Sequence, residues 1–295
     1  MPPSPPTEAQ RAPADPARPA LVALFAYLLV LLPATLREGR ALWALSLAHA
    51  MGMVLVMLAL HAHRGAGATR WARLLVPLVA LPLLYAELGA VIEVLHDGTR
   101  DATVLRWERV LFDEPARTLA ARLPSLALSE VLHAGYLSYY PLIYLPPLLL
   151  AFRGRRHALG ETVLALTLAY ATCFLVFVAF PVEGPRYRFG AAPGAPAGPF
   201  RDLARLLLEG GSSRGTAFPS SHVAVSLAQT LLALRHQRRV GVIAALCTVG
   251  VALGALYGGF HYAVDVLAGL VVGAAAALAA GALWRTTQET DRRRP

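Results

Sequence analysis

Apolar runs of about 18 residues or more, each long enough as a helix to cross a hydrocarbon layer of roughly 30 Å, recur along almost the whole chain. In lipid every backbone polar group must be satisfied within the crossing segment, which restricts such runs to helices. Only 15% of the 295 residues are charged, against roughly 25% in an average soluble domain. The expected fold is therefore an all-α, polytopic membrane helix bundle with about eight transmembrane helices, at 20–36, 41–61, 71–95, 130–152, 159–180, 219–234, 240–257 and 261–284. The first of these carries Pro33 near its end.

The net charge of +9 comes from arginine alone, because the chain contains no lysine. The arginines cluster in short gaps between apolar runs, which reads as membrane topology and not as a nucleic-acid surface. Arg64 and Arg70, then Arg153, Arg155 and Arg156, then Arg235, Arg238 and Arg239 occupy alternate gaps, and Arg285 and the arginines at 292–294 fall on the same side. Positive segments stay in the cytoplasm, so both termini are expected there. The connections 96–129 and 181–218 then face the other way. In the first, arginines are matched by Asp97, Asp101, Glu108, Asp113 and Glu114. A stretch near Trp107 fits either an amphipathic surface helix or an ordinary loop.

Residues 1–19 are rich in Pro, Ala and Arg, cannot bury a core, and are expected to form a disordered tail without signal-peptide character. Cys173 and Cys247 lie inside apolar runs without paired spacing and read as buried thiols. His61 and His63 end a helix beside Arg64, a solvated boundary more than a metal site. Glu87 and Glu93 in the third helix raise the idea of a proton relay. Gly250, Gly254 and Gly258 recur every fourth residue, a smooth stripe expected to bring the helix after them close against the bundle.

Three segments carry chemistry, and all open on one predicted membrane face. Gly215, Thr216, Ala217, Phe218, Pro219, Ser220, Ser221 and His222 run from a turn into a helix, with proline and serine as helix-start residues. The free N–H groups and positive dipole end of such a helix attract anions, and His222 would stand beside them. Further on, His261 and Asp265 are four residues apart at the start of the last helix, on one helical face. A carboxylate on one ring nitrogen sets the tautomer and leaves the other nitrogen as acceptor or nucleophile. The third segment, 180–187, closes the fifth helix and holds Arg186, whose donor fork matches phosphate oxygens. Tyr187 adjoins it, Arg214 is a second loop cation, and Glu183 is placed to pair with Arg186.

In this order the segments resemble the type 2 phosphatidic acid phosphatase superfamily, whose second motif is Pro-Ser-X-His and whose third ends His-x-x-x-Asp. The matching residues here are Pro219, Ser220, His222, His261 and Asp265. Two positions depart from the pattern. The family's first-motif lysine falls on Ala179, with Arg186 followed by Tyr187 in place of proline, and its Ser-Arg pair falls on Gly254 and Ala255. The departures, the sequence from His261 through Gly269, the stretch 112–116 and the aromatics Tyr136, Tyr139 and Tyr140 are similar to the branch typified by inositol phosphorylceramide synthases.

The resemblance covers about residues 75 to 280 and implies a six-helix catalytic core. It places two additional helices at 20–70, the catalytic membrane domain at 71–284 and a basic cytoplasmic tail at 285–295. It implies that His261 attacks phosphorus, Asp265 orients it, and His222 protonates the leaving oxygen. Arg186, Ser220 and Ser221 would steady the phosphoryl oxygens, with Arg214 and Tyr187 as further substrate contacts and no metal or other cofactor. The donor would be a lipid phosphate or phospholipid and the acceptor water or an alcohol, in a bacterial-type inner membrane with the site on the extracytoplasmic face. A non-catalytic transporter or binder of an anionic lipid is the alternative from another class.

Overall fold

A computed structural model describes residues 15–37, 42–62, 68–113, 115–190 and 194–293. Most of the expected tail, with His63, Arg64 and Glu114, lies outside the described residues. Thirteen helices are present among the described residues, and no strand. Six are long and apolar enough to cross a membrane: α1 (Arg18–Arg37), α2 (Trp43–His61), α3 (Ala68–Leu95), α8 (Arg156–Ala179), α12 (Arg238–Tyr257) and α13 (Ala263–Arg293). Two shorter helices complete the bundle, α7 (Tyr139–Phe152) and α11 (Ser221–His236). The others are α4 (Asp101–Phe112), α5 (Pro115–Arg122), α6 (Leu126–Leu137), α9 (Pro185–Phe189) and α10 (Pro199–Gly211).

The expected helix at 130–152 is two helices, α6 and α7, broken at Ser138. The Ser138 hydroxyl donates to the Gly135 carbonyl at 2.6 Å, and Pro141 brings no N–H to the first turn of the second piece. α11 is only 16 residues long, yet it packs against α8, α12 and α13 at the centre. Protein surrounds it, so Ser226, Gln229 and Thr230 can lie buried in it. α8 is the other central helix, with 67% of its apolar window buried against 11% for the peripheral α2. Phe174 and Phe177 of α8 join Leu81 and Leu88 of α3 in the main apolar cluster.

α1 starts at Arg18 with Ala17 already buried, and the Asp15 carboxylate accepts from Arg73 of α3 at 2.6 Å. This ion pair anchors the start of the first helix to α3. The glycine stripe packs differently from expectation. A Cβ at Gly250 would sit 2.9 Å from the Gly135 Cα, and one at Gly254 would collide with the Leu132 carbonyl, so the stripe seats α12 on α6. Gly258 lies at the helix cap under the Phe260 ring. α13 uses its own glycines, Gly269 and Gly273, to approach the α11 backbone.

Candidate active site

The segment after α8 and the segment before α11 lie side by side. Val182 N–H donates to the Gly215 carbonyl at 3.1 Å and Ala217 N–H to the Val182 carbonyl at 2.8 Å, a single parallel bridge. This pairing brings Arg186, which follows Val182, up to His222, which follows Ala217. Gly184 has φ of +89° and Gly215 has φ of +83°. Both need the left-handed region, and a Cβ at Gly184 would stand 2.9 Å from the Ala217 Cβ.

Asp101 of α4 holds the same junction from outside. Its Oδ2 accepts from Glu183 N–H at 2.9 Å and its Oδ1 from Gly184 N–H at 3.0 Å. The Tyr262 phenol donates to Oδ1 at 3.3 Å. Burial, with Asp101 and Asp265 adding, raises the Tyr262 phenol well above its ordinary value, so it keeps the proton it donates. Glu108, about two turns further along the same face of α4, accepts from Ala263 and Val264 N–H at 3.0 Å each, capping the helix that carries Asp265. These two acids were expected to balance loop arginines; they bind backbone N–H groups instead, and both are buried. α4 is thus a helix, with Asp101, Val104, Leu105 and Glu108 inward and Val110 and Leu111 outward.

His261 Nδ1 faces two acceptors, the Ala217 carbonyl at 3.0 Å and Asp265 Oδ2 at 3.5 Å. A nitrogen between acceptors carries the proton, which leaves Nε2 with its lone pair. Asp265 is fully buried; its Oδ2 accepts from Tyr262 N–H at 2.8 Å, and its Oδ1 has no hydrogen-bond partner among the described residues. His222 stands in the first turn of α11, its ring centroid 6.0 Å from that of His261. Tyr136 stacks on it at 5.2 Å and bonds Nε2 through its hydroxyl at 3.3 Å, and the Tyr139 ring lies 4.2 Å away. These aromatic walls fix the imidazole plane.

Ser220 caps α11, its hydroxyl accepting from Val223 N–H at 3.4 Å while its own N–H donates to the Asp265 carbonyl at 2.9 Å. With Ser220 engaged on both counts, the N–H groups of Ser221 and His222 are the ones left open at this helix start among the described residues. Arg186 donates to the Tyr187 hydroxyl at 2.6 Å and to the Ser212 hydroxyl, and its guanidinium lies 4.5 Å from the Tyr187 ring centroid. Arg186, His222 and His261 line one cavity of about 40 Å³ with Tyr85, Tyr136 and Thr216. Glu183 pairs with Arg214 at 3.5 Å in place of the expected Arg186, and Arg214, 70% exposed, borders Tyr187 from outside at 5.1 Å.

Two larger cavities adjoin this one on neighbouring faces of α10, with Leu208 lining both. One, about 310 Å³, is walled by Tyr85, Tyr139, Tyr140, Tyr144 and Tyr170 and reaches Ser221 and His222. The other, about 340 Å³, is bordered by His133, Arg186, Arg201, Arg205, Glu209 and Phe260. Sequence reasoning missed α10 altogether, although its pattern of Leu203, Leu206 and Leu207 against Arg201, Arg205 and Glu209 is amphipathic. It also missed Tyr85 of α3, whose hydroxyl meets Thr216 at 3.0 Å. No local signal marks a single tyrosine in an apolar helix.

The departures at Gly254 and Ala255 have a steric origin. The Leu132 carbonyl occupies the space beside Gly254, and Ala255 is fully buried, so neither serine nor arginine fits there. No curated protein and no solved structure matches the chain. A family model described as the PAP2 superfamily matches residues 102–279, a stretch that contains Arg186, His222, His261 and Asp265 and the helices that hold them. The chain belongs to the PAP2 superfamily, the type 2 phosphatidic acid phosphatases.

Proposed function

We propose that this membrane protein cleaves phosphate esters of lipids through a phosphohistidine on His261, and that it passes the phosphoryl-bearing group to an alcohol or to water. The observation that carries the reading is the bonding of His261: Nδ1 is taken by Ala217 and Asp265, so Nε2 is the nucleophile toward the shared cavity. Nε2 attacks phosphorus, His222 protonates the departing oxygen, and His222 then takes the proton of the incoming hydroxyl. Asp265 orients His261 and balances the charge that forms on its ring. Arg186 and the N–H groups of Ser221 and His222 steady the equatorial oxygens, the part a metal ion plays elsewhere. Arg214, Ser220 and Tyr187 support these groups.

The tyrosine-walled cavity suits the chain region of a lipid donor, and the arginine-bordered one suits a head group. That pairing favours head-group transfer of the inositol-phosphate kind, as in the synthase-like branch, over simple hydrolysis. The arginine distribution supports a site on the extracytoplasmic face of a bacterial-type inner membrane with both termini in the cytoplasm.

The test is a labelled lipid phosphate added to the purified protein in detergent. An acid-labile, base-stable phosphoenzyme should form and disappear in His261→Ala together with turnover. Retained turnover in that variant overturns the mechanism, while lipid binding without any turnover in the intact protein selects a transporter or binder. Phosphate release without added alcohol marks a hydrolase; dependence on the alcohol marks a transferase.

A further inference from the structure

The arginine-bordered cavity is a built site. α6 and α10 are fastened together along its rim, because Glu130 accepts from Phe200 N–H at 2.9 Å and from Arg201 N–H at 3.2 Å. One residue away, the Ser129 hydroxyl donates to the Pro196 carbonyl at 3.0 Å. A turn further along α6, His133 faces the cavity with Nδ1 taken by the Ser129 carbonyl at 2.7 Å. Nδ1 therefore holds the proton and Nε2 is a hydrogen-bond acceptor that makes no hydrogen bond among the described residues. His133 is 2% exposed as a residue, and with Nδ1 engaged its Nε2 is the ring nitrogen that offers a lone pair to the cavity.

The cations here are not equivalent. Arg205 is paired with Glu209 at 3.6 Å and Arg186 with Tyr187 and Ser212. Arg201 is held by its backbone, and its guanidinium makes no hydrogen bond or ion pair among the described residues. An acceptor that wants a hydroxyl thus stands across from a guanidinium that wants an anion. The volume of about 340 Å³ falls at the lower end of the roughly 300–1,000 Å³ of small-molecule sites. Arg205 and Glu209, 48% and 64% exposed, edge it toward water, whereas the tyrosine-walled cavity lies on the neighbouring face of α10.

We infer that this cavity binds a water-soluble phosphorylated polyol, with Arg201 on its phosphate and His133 accepting from one of its hydroxyls. The inference takes its phosphoryl chemistry from the reading above, but the binding itself does not depend on it. As acceptor, a free hydroxyl of the polyol attacks phosphorus of the phosphohistidine. The new P–O bond forms as the P–Nε2 bond of His261 breaks, and the hydroxyl proton passes to His222.

Binding of radiolabelled glycerol 3-phosphate to the full chain in detergent, carrying His261→Ala so that no reaction intervenes, reads the site directly. Glycerol 3-phosphate should bind at least about tenfold tighter than glycerol or methyl phosphate, the size of one charge-assisted hydrogen bond. Arg201→Gln should remove the advantage over glycerol, Arg201→Lys should restore part of it, and His133→Phe should remove the advantage over methyl phosphate. Equal affinity for the three probes, or an affinity for glycerol 3-phosphate untouched by Arg201→Gln, overturns the inference. Adding glycerol 3-phosphate and a lipid phosphate to the unmutated chain separates the two readings. Binding without phosphorylation of the polyol leaves the site standing and removes its role as acceptor, and binding with neither phosphorylation of the polyol nor release of phosphate removes the phosphohistidine reading.

Discussion

Glu108 and Ala263 are joined by a 3.0 Å hydrogen bond in which a carboxylate of the loop helix α4 caps the start of α13, two residues before Asp265. Its second oxygen accepts from Val264 N–H at 3.0 Å. The loop between α3 and α6 therefore holds the helix that carries Asp265 directly, and a negative charge at a helix N-terminus also meets the positive end of the dipole.

Removing this cap should loosen the site before it unfolds the bundle. Glu108→Ala leaves two buried N–H groups without their carboxylate, at a cost of about 1.5–3 kcal/mol. Thermal unfolding in detergent should show the loss, with turnover falling more than lipid binding. Glu108→Gln keeps one accepting oxygen and should fall between. Identical melting curves for all three proteins would falsify the capping role.

His222 acts on the leaving oxygen in the proposed mechanism, so its importance depends on how much help that oxygen needs. His222→Gln should slow cleavage of an alkyl lipid phosphate by about 10²–10⁴-fold. An aryl phosphate ester, whose leaving group departs without a proton, should lose far less. Equal losses for both esters point to a structural role for His222.

The tyrosine-walled cavity offers a test of where the lipid lies. Gly211 borders it and a Cβ there meets nothing within 4 Å, so Gly211→Leu fills the cavity without strain. KM for a long-chain lipid phosphate should rise by about tenfold, in line with 1–3 kcal/mol for methylene-scale changes in a pocket, while a short-chain ester keeps its KM. A rise for both esters places the chains elsewhere.

Close packing of α12 on α6 predicts a stability effect remote from the chemistry. Gly254→Ala forces a Cβ into the Leu132 carbonyl and should cost about 1–3 kcal/mol, measured as a lower unfolding temperature. Gly210→Ala, with open space around it, serves as the control and should not destabilise.

Much of the outline was legible because lipid imposes one rule on a long apolar run. The helices at α1, α2, α3, α8, α12 and α13 follow from length and hydropathy, and the helix start beside His222 follows from Ser220, which caps it, whereas Pro219 lies before the cap and not in the first turn. The same logic fails where protein replaces lipid around a segment. α11 is short and partly polar because it is enclosed, and 130–152 breaks at Ser138 because a side chain and a proline interrupt the backbone ladder. Amphipathic α10 fell between the two patterns, being too polar for a crossing and too short to stand out from a loop.

By itself the sequence determined that the chain is a membrane bundle and which residues could handle a phosphate, since hydrophobic length and the chemistry of His222, His261, Asp265 and Arg186 are local properties. Only the tertiary structure decided how they meet. The bridge from Val182 to Gly215 and Ala217 sets Arg186 beside His222, Ala217 supplies the second acceptor on His261, and Asp101 and Glu108 hold the backbone that bears them. These are bonds between residues roughly 30 to 155 positions apart, and no local pattern encodes a hydrogen bond whose partner is brought in by the packing of other helices.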